Sequence, residues 1–161
     1  MASMYAVYHG PEGLKYISGK INDLTLQLAN RLISLGFTLL NSNFFDTISL
    51  KIENDSIEGL RKSAEDQGIN LNYFVDDEIS INIGETANQS DIDRLVKLFE
   101  KFKTNNNGKS IEIINSIPTQ LKRTTEFLTH EVFSDYQSET DLMRYIKSLE
   151  KKDLSLTTSM I

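Results

Sequence analysis

Residues 37–83 read FTLLNSNFFDTISLKIENDSIEGLRKSAEDQGINLNYFVDDEISINI. Two runs in this stretch alternate. Ile48, Leu50 and Ile52 are separated by Ser49 and Lys51, and Ile79, Ile81 and Ile83 by Ser80 and Asn82. A period of two lays one apolar face on a core and leaves the other wet, as in a half-buried sheet. Between the runs, Ile57, Leu60 and Ala64 recur at helical spacing and stop ahead of Gly68, a good helix terminator. Leu71, Tyr73 and Val75 resume the alternation, and Asp76-Asp77 makes a short polar turn into the last strand. The order is strand, strand, helix, strand, strand. It reads as a scaffold without a reaction centre.

Upstream of this module, Leu14, Ile17, Ile21, Leu24, Leu28, Leu32 and Leu35 step by threes and fours until Gly36. That spacing predicts a long helix laid across the sheet. Gly10-Pro11 breaks the chain before it, and Pro11 is placed to open the helix. Residues 1–9 are too few for a stable element alone. Downstream, Ile92, Leu95, Val96, Phe99 and Phe102 predict a third helix, with Ser90 and Asp93 as its capping-box pair. The polar run TNNNGKS at 104–110 is the best boundary in the chain, and 111–114 is expected to be a short extended piece ahead of Pro118. Ser138 and Asp141 then cap a terminal helix carrying Leu142, Tyr145, Ile146 and Leu149. The expected fold is therefore α/β of the α+β type, αββαββα with a mainly antiparallel sheet, plus a helical C-terminal appendage. The folded unit is expected over 11–103. The terminal segment has too little apolar surface for a core of its own, and the apolar residues Leu154, Leu156, Met160 and Ile161 read as a cut through a longer protein.

The 161 residues suffice for one domain with an appendage. A net charge of −6 opposes general nucleic-acid binding, which needs a basic face to replace condensed counterions. No apolar run approaches the roughly 20 residues that span a bilayer, and residues at the start of the chain do not form a signal peptide. The absence of cysteine removes disulfides, thiolate nucleophiles and cysteine metal sites. His9 and His130 are far apart in sequence and lack helical ligand partners, so packing-edge roles are expected and no metal site is assigned. Asp76, Asp77 and Glu78 lack the oxygen-ligand spacing of a calcium loop. Gly10 to Gly13 do not form a phosphate loop, because no lysine-serine or lysine-threonine pair follows in register. Arg144 is the charge with the most to offer. It lies near the apolar side of the terminal helix, where a guanidinium can clamp a carboxylate or phosphate, and three residues from Asp141, with which it can instead pair locally.

Four stretches carry a resemblance: MYAVYHGPEGL at 4–14, FFDT at 44–47, GINL at 68–71 and FLTHEVFSDYQSETDLMRYIKSLEKKDLSLTTSMI at 127–161. They resemble the pyridoxal-phosphate-dependent glycine decarboxylases, the P-proteins of the glycine cleavage system. The resemblance covers nearly the whole chain and is weakest at 105–116. It implies a much longer parent of two related halves, each similar to a fold type I pyridoxal-phosphate enzyme, and a dimer. Residues 1–103 would then be the small domain ending the first half, 104–122 a linker, and 123–161 the start of the second half. The family decarboxylates glycine on pyridoxal phosphate and passes the aminomethyl group to the lipoyl arm of the H-protein. Its Schiff-base lysine lies in a second-half segment with no counterpart here, which implies a piece that is inactive alone and binds no cofactor. The resemblance implies that Ser138, Glu139 and Arg144 lie at the edge of the parent's active site. Gln137 stands where the family usually has histidine and Glu131 where proline is common, and the first departure weighs against acid–base work at 137. A bacterial cytoplasmic parent is expected, with a mitochondrial matrix as the alternative, and neither nucleic acid nor a membrane as partner. The competing readings are a free-standing interaction or small-ligand module and the small domain of another pyridoxal-phosphate enzyme.

Overall fold

The computed structural model describes residues 1–52, 54–74, 77–103, 116–152, 154 and 156, with no side-chain description at Asn54 and Asp55. The polar boundary at 104–110, the extended piece at 111–114, Val75, Asp76, Met160 and Ile161 lie outside them. The elements run α1 (Ala2–Ser34), β1 (Thr38–Leu39), β2 (Thr47–Lys51), α2 (Asn54–Glu65), β3 (Asn72–Tyr73), β4 (Glu78–Asn82), α3 (Gln89–Glu100), a single 3-10 turn (Thr119–Leu121), α4 (Val132–Asp135) and α5 (Glu139–Glu150). By their contacts the residues fall into two compact units, Ser18–Arg123 and Met1–Ile17 with Thr124–Ile161.

The Ser18–Arg123 unit holds the sheet. Its strands lie in the order β1-β2-β4-β3 and every pair is antiparallel, as the αββαββα reading expects. The register sets Ile48 opposite Ile81 and Leu50 opposite Ile79, so the two alternating runs bury one shared face. Thr47, Ser49, Glu78 and Ser80 stand half-exposed on the other face, with Lys51 and Asn82 exposed. Leu24, Leu28 and Leu32 of α1, Leu60 and Ala64 of α2, and Ile92, Leu95, Val96 and Phe99 of α3 cover the apolar face. Phe37 and Phe99 meet edge to face with centroids 5.3 Å apart, a favoured geometry for aromatic pairs. Gly36 and Gly68 follow α1 and α2 with φ of 93° and 67°, as their positions in the sequence predict.

Two details differ from expectation. The capping box of α3 is built by Asn88 and Asp91, two residues before the expected Ser90 and Asp93. Asn88 Oδ1 accepts from the Ser90 amide at 2.8 Å and Asp91 Oδ2 from the Asn88 amide at 3.0 Å. Asparagine caps as well as serine, so the same spacing is satisfied two residues earlier. Asp93 is thereby released to pair with Arg31 of α1. Among the described residues the third strand also starts later than the alternation implies: Leu71 precedes it, and Asn72 and Tyr73 ladder onto β4.

The second unit joins the start of α1 to the terminal helices. Of residues 1–9, too short to stand alone, 2–9 are helical here. Gly10 interrupts α1 with φ 62° and ψ −177°, and Pro11 opens the longer piece as its fixed φ favours. Val7 is buried although it takes no part in the sheet's core.

Candidate functional site

The expected site-edge residues all lie at the start of α5. Ser138 is its N-cap with extended φ and ψ. Its Oγ accepts from the Asp141 amide at 3.1 Å and donates to Asp141 Oδ2 at 2.6 Å. Glu139 and Asp141 occupy the first turn, where a carboxylate interacts well with the helix dipole. Arg144 Nη1 lies 3.8 Å from Asp141 Oδ1, and the Arg144 side chain is 78% exposed. That is the local pair the spacing allows, held loosely. Glu139, Thr140, Met143, Arg144 and Lys147 line a shallow, open groove along the helix. Ser138, Glu139 and Arg144 thus share one end of one helix, but they do not converge on an enclosed point.

The helix is amphipathic and bare. Leu142, Tyr145 and Leu149 are half-buried, Met143 and Ile146 are exposed, and no residue of α5 is fully buried. Tyr136 stacks on Tyr145 with centroids 4.2 Å apart, which ties the helix to the turn before it. The approach to α4 is strained at Leu128, whose φ of 51° is uncommon for a bulky side chain. Lys15 Nζ lies 5.8 Å from the centre of the Phe127 ring, within cation–π reach.

Neither histidine is placed for metal work. His130 Nδ1 accepts from the Val132 amide at 3.2 Å at the start of α4, while His9 packs between Tyr5 and Tyr8 with ring centroids 4.3 and 5.1 Å away. Among the described residues no group of three or more histidine, aspartate or glutamate side chains is arranged to hold a cation. Pyridoxal phosphate does not fit the described residues either. Every described lysine is exposed except Lys20, which is half-exposed and donates to the Glu85 carbonyl. An enclosed amine to hold the cofactor is therefore missing among them.

Sequence reasoning missed a polar clasp in the sheet-bearing unit. Ser116 is buried, and its Oγ accepts from Asn22 Nδ2 at 2.9 Å. The same amide donates to the Phe45 carbonyl at 2.8 Å, and the Phe44 amide donates to the Ser116 carbonyl at 3.1 Å. This fixes the chain just beyond the 104–115 stretch onto α1 and the loop before β2. No local pattern marks Asn22, because its partners lie 22 to 94 residues away.

Comparison with known proteins adds what this geometry leaves open. A family model described as glycine cleavage system P-protein matches residues 1–99. The whole chain aligns at 44% identity with a protein named glycine dehydrogenase (decarboxylating) from Christiangramia forsetii. Proteins of the same name from Nostoc punctiforme and Thermosynechococcus vestitus are 42% and 43% identical, again along all of the chain. The chain spans about 17% of the Christiangramia protein's length. The family model covers more than half of the chain, and the identity extends through α5. The chain therefore belongs to the glycine cleavage system P-protein family.

Proposed function

We propose that these residues are one section of an enzyme that decarboxylates glycine and transfers the remaining aminomethyl group to the lipoyl arm of an H-protein. The observation that carries this reading is identity above 40% along the entire chain to proteins named for glycine decarboxylation. When bound in the whole enzyme, pyridoxal phosphate supplies the sink for electrons released on loss of carbon dioxide. This section contributes scaffold. Residues 1–103 form the small domain that ends the first half, 104–122 link the halves, and 123–161 open the second half. Ser138 and Glu139 sit at the edge of the parent's active site. Arg144 offers its loosely held guanidinium to an anion there, the glycine carboxylate or a carboxylate of the neighbouring half. The parent is dimeric and cytoplasmic. The named relatives are bacterial, and no described helix is long and apolar enough to cross a membrane. The identity to glycine enzymes along the full chain favours this reading over the small domain of another pyridoxal-phosphate enzyme.

The test uses the full-length protein that contains this chain. Purified with pyridoxal phosphate and lipoylated H-protein, it is expected to exchange labelled carbon dioxide into the glycine carboxyl group. A full-length protein that folds, takes up the cofactor and shows no glycine-dependent exchange overturns the proposal.

A further inference from the structure

Six observations gather around Gly10. The residue is buried, has φ 62°, and breaks α1. A Cβ placed there would collide with Nε2 of Gln137 and lie 2.7 Å from the Phe133 carbonyl oxygen. Those two groups already bond each other, Gln137 Nε2 donating to the Phe133 carbonyl at 3.2 Å. One turn before the break Val7 is buried outside the sheet's core, and one turn after it Lys15 lies over Phe127. Leu128, next to Phe127, is held in a left-handed conformation, which persists where the surroundings over-determine it.

From this we infer that the break at Gly10 is a docking notch for the 133–137 turn, and that it fastens the leading segment of the second half onto the entry helix of the first. The division into halves rests on the reading proposed above; the notch itself does not. A helix that continued through position 10, or any side chain there, would fill the space that the 133–137 turn occupies. The chain gives up one stretch of helix so that a segment more than a hundred residues away can approach the backbone. In the parent, the boundary between the halves is therefore interlocked. The second half begins on a surface of the first, and α5 starts from a fixed point four residues after Asp135.

Hydrogen exchange on the 161-residue chain tests the notch. Gly10→Ala puts a methyl group into the space of the 133–137 turn. Val7→Asp places a charge at a buried residue about one turn before the break, one that the sheet's core does not use. Both variants are expected to speed exchange of the 132–150 amides by about tenfold or more, while the 48–52 and 79–83 amides stay within about twofold of the parent chain. Unchanged exchange at 132–150 in both variants overturns the notch. Equal loss of protection in the sheet and in 132–150 overturns it as well, because the contact would then belong to one cooperative fold. The division into halves fails separately, if the coding sequence continues past position 161 into something other than a cofactor-binding half.

Discussion

Leu50 and Ser49 are neighbours in sequence and opposites in consequence. Leu50 is fully buried among α1, α2 and α3 residues, whereas Ser49 faces outward on the same strand. Leu50→Ala removes packed methyl groups and leaves a cavity, and is expected to cost about 2–5 kcal/mol of stability, while Ser49→Ala stays within about 0.5 kcal/mol. Urea unfolding of the two variants checks the contrast, and equal losses would place the core elsewhere. Asp93 carries a different signature. Its hydrogen bond from Arg31 holds the carboxyl below its ordinary value of 3.8. A carboxylate depressed in the folded state stabilises it fully above the unfolded value and loses that contribution as pH falls through the lower folded value. Thermal unfolding followed downward from pH 5 should therefore fall less steeply for Arg31→Ala than for the parent chain below about pH 3.8. Superimposable pH profiles would show that the pair is not held in solution. Arg144 is tested in the full-length enzyme. Arg144→Ala is expected to keep the fold, since its side chain is exposed and its ion pair with Asp141 is loose, and to lower glycine-dependent carbon dioxide exchange by about tenfold or more. Unchanged exchange reduces Arg144 to a surface partner of Asp141.

Among the elements, α5 owes its start to its cap more than to burial. Ser138→Ala removes the acceptor for the Asp141 amide, a loss of about 1 kcal/mol. Because no residue of α5 is fully buried, that cost should appear as faster exchange at the first turn of α5, with the sheet's unfolding midpoint unmoved. A shifted midpoint would mean that the helix is coupled to the sheet. The elements also divide what a sequence reveals from what it conceals. The alternation at 48–52 and 79–83, the α1 stripe and the Ser138 cap were legible because side-chain periodicity and caps are properties of a few consecutive residues. The Ser90 and Asp93 cap was misplaced by two residues, since Asn88 and Asp91 offer the same chemistry at the same spacing. The β1-β2-β4-β3 order was not legible in detail, because pairing is settled by shape across the core. Gly10-Pro11 announced a break but not its occupant, and Asn22 announced nothing. In both cases a partner is about a hundred residues distant. Arg144 stands out by its spacing on the terminal helix, while the site-edge role shared with Ser138 and Glu139 depends on the longer parent that the resemblance implies; the three share one helix end.

At the scale of the molecule, the described residues are mostly scaffold. Among the described residues, nineteen buried apolar ones form one core around the sheet, yet Ser138, Glu139 and Arg144 are exposed, the last two lining an open groove. Catalysis on an aldehyde cofactor needs an amine held in an enclosed site, where the adduct is shielded from water and the reacting groups are oriented. The described lysines are exposed or half-exposed, so an adduct formed with one of them would be open to hydrolysis. The relatives are about six times longer, which leaves ample polypeptide to supply the enclosure. The 161-residue chain is accordingly expected to form no stoichiometric lysine adduct when mixed with one equivalent of pyridoxal phosphate and reduced with borohydride. It should also release no carbon dioxide from glycine. Mass spectrometry of the reduced chain and a labelled-glycine assay measure the two outcomes together. A single lysine modified to completion, accompanied by carbon dioxide release, would show that the catalytic machinery lies within these residues and that the longer parent is dispensable.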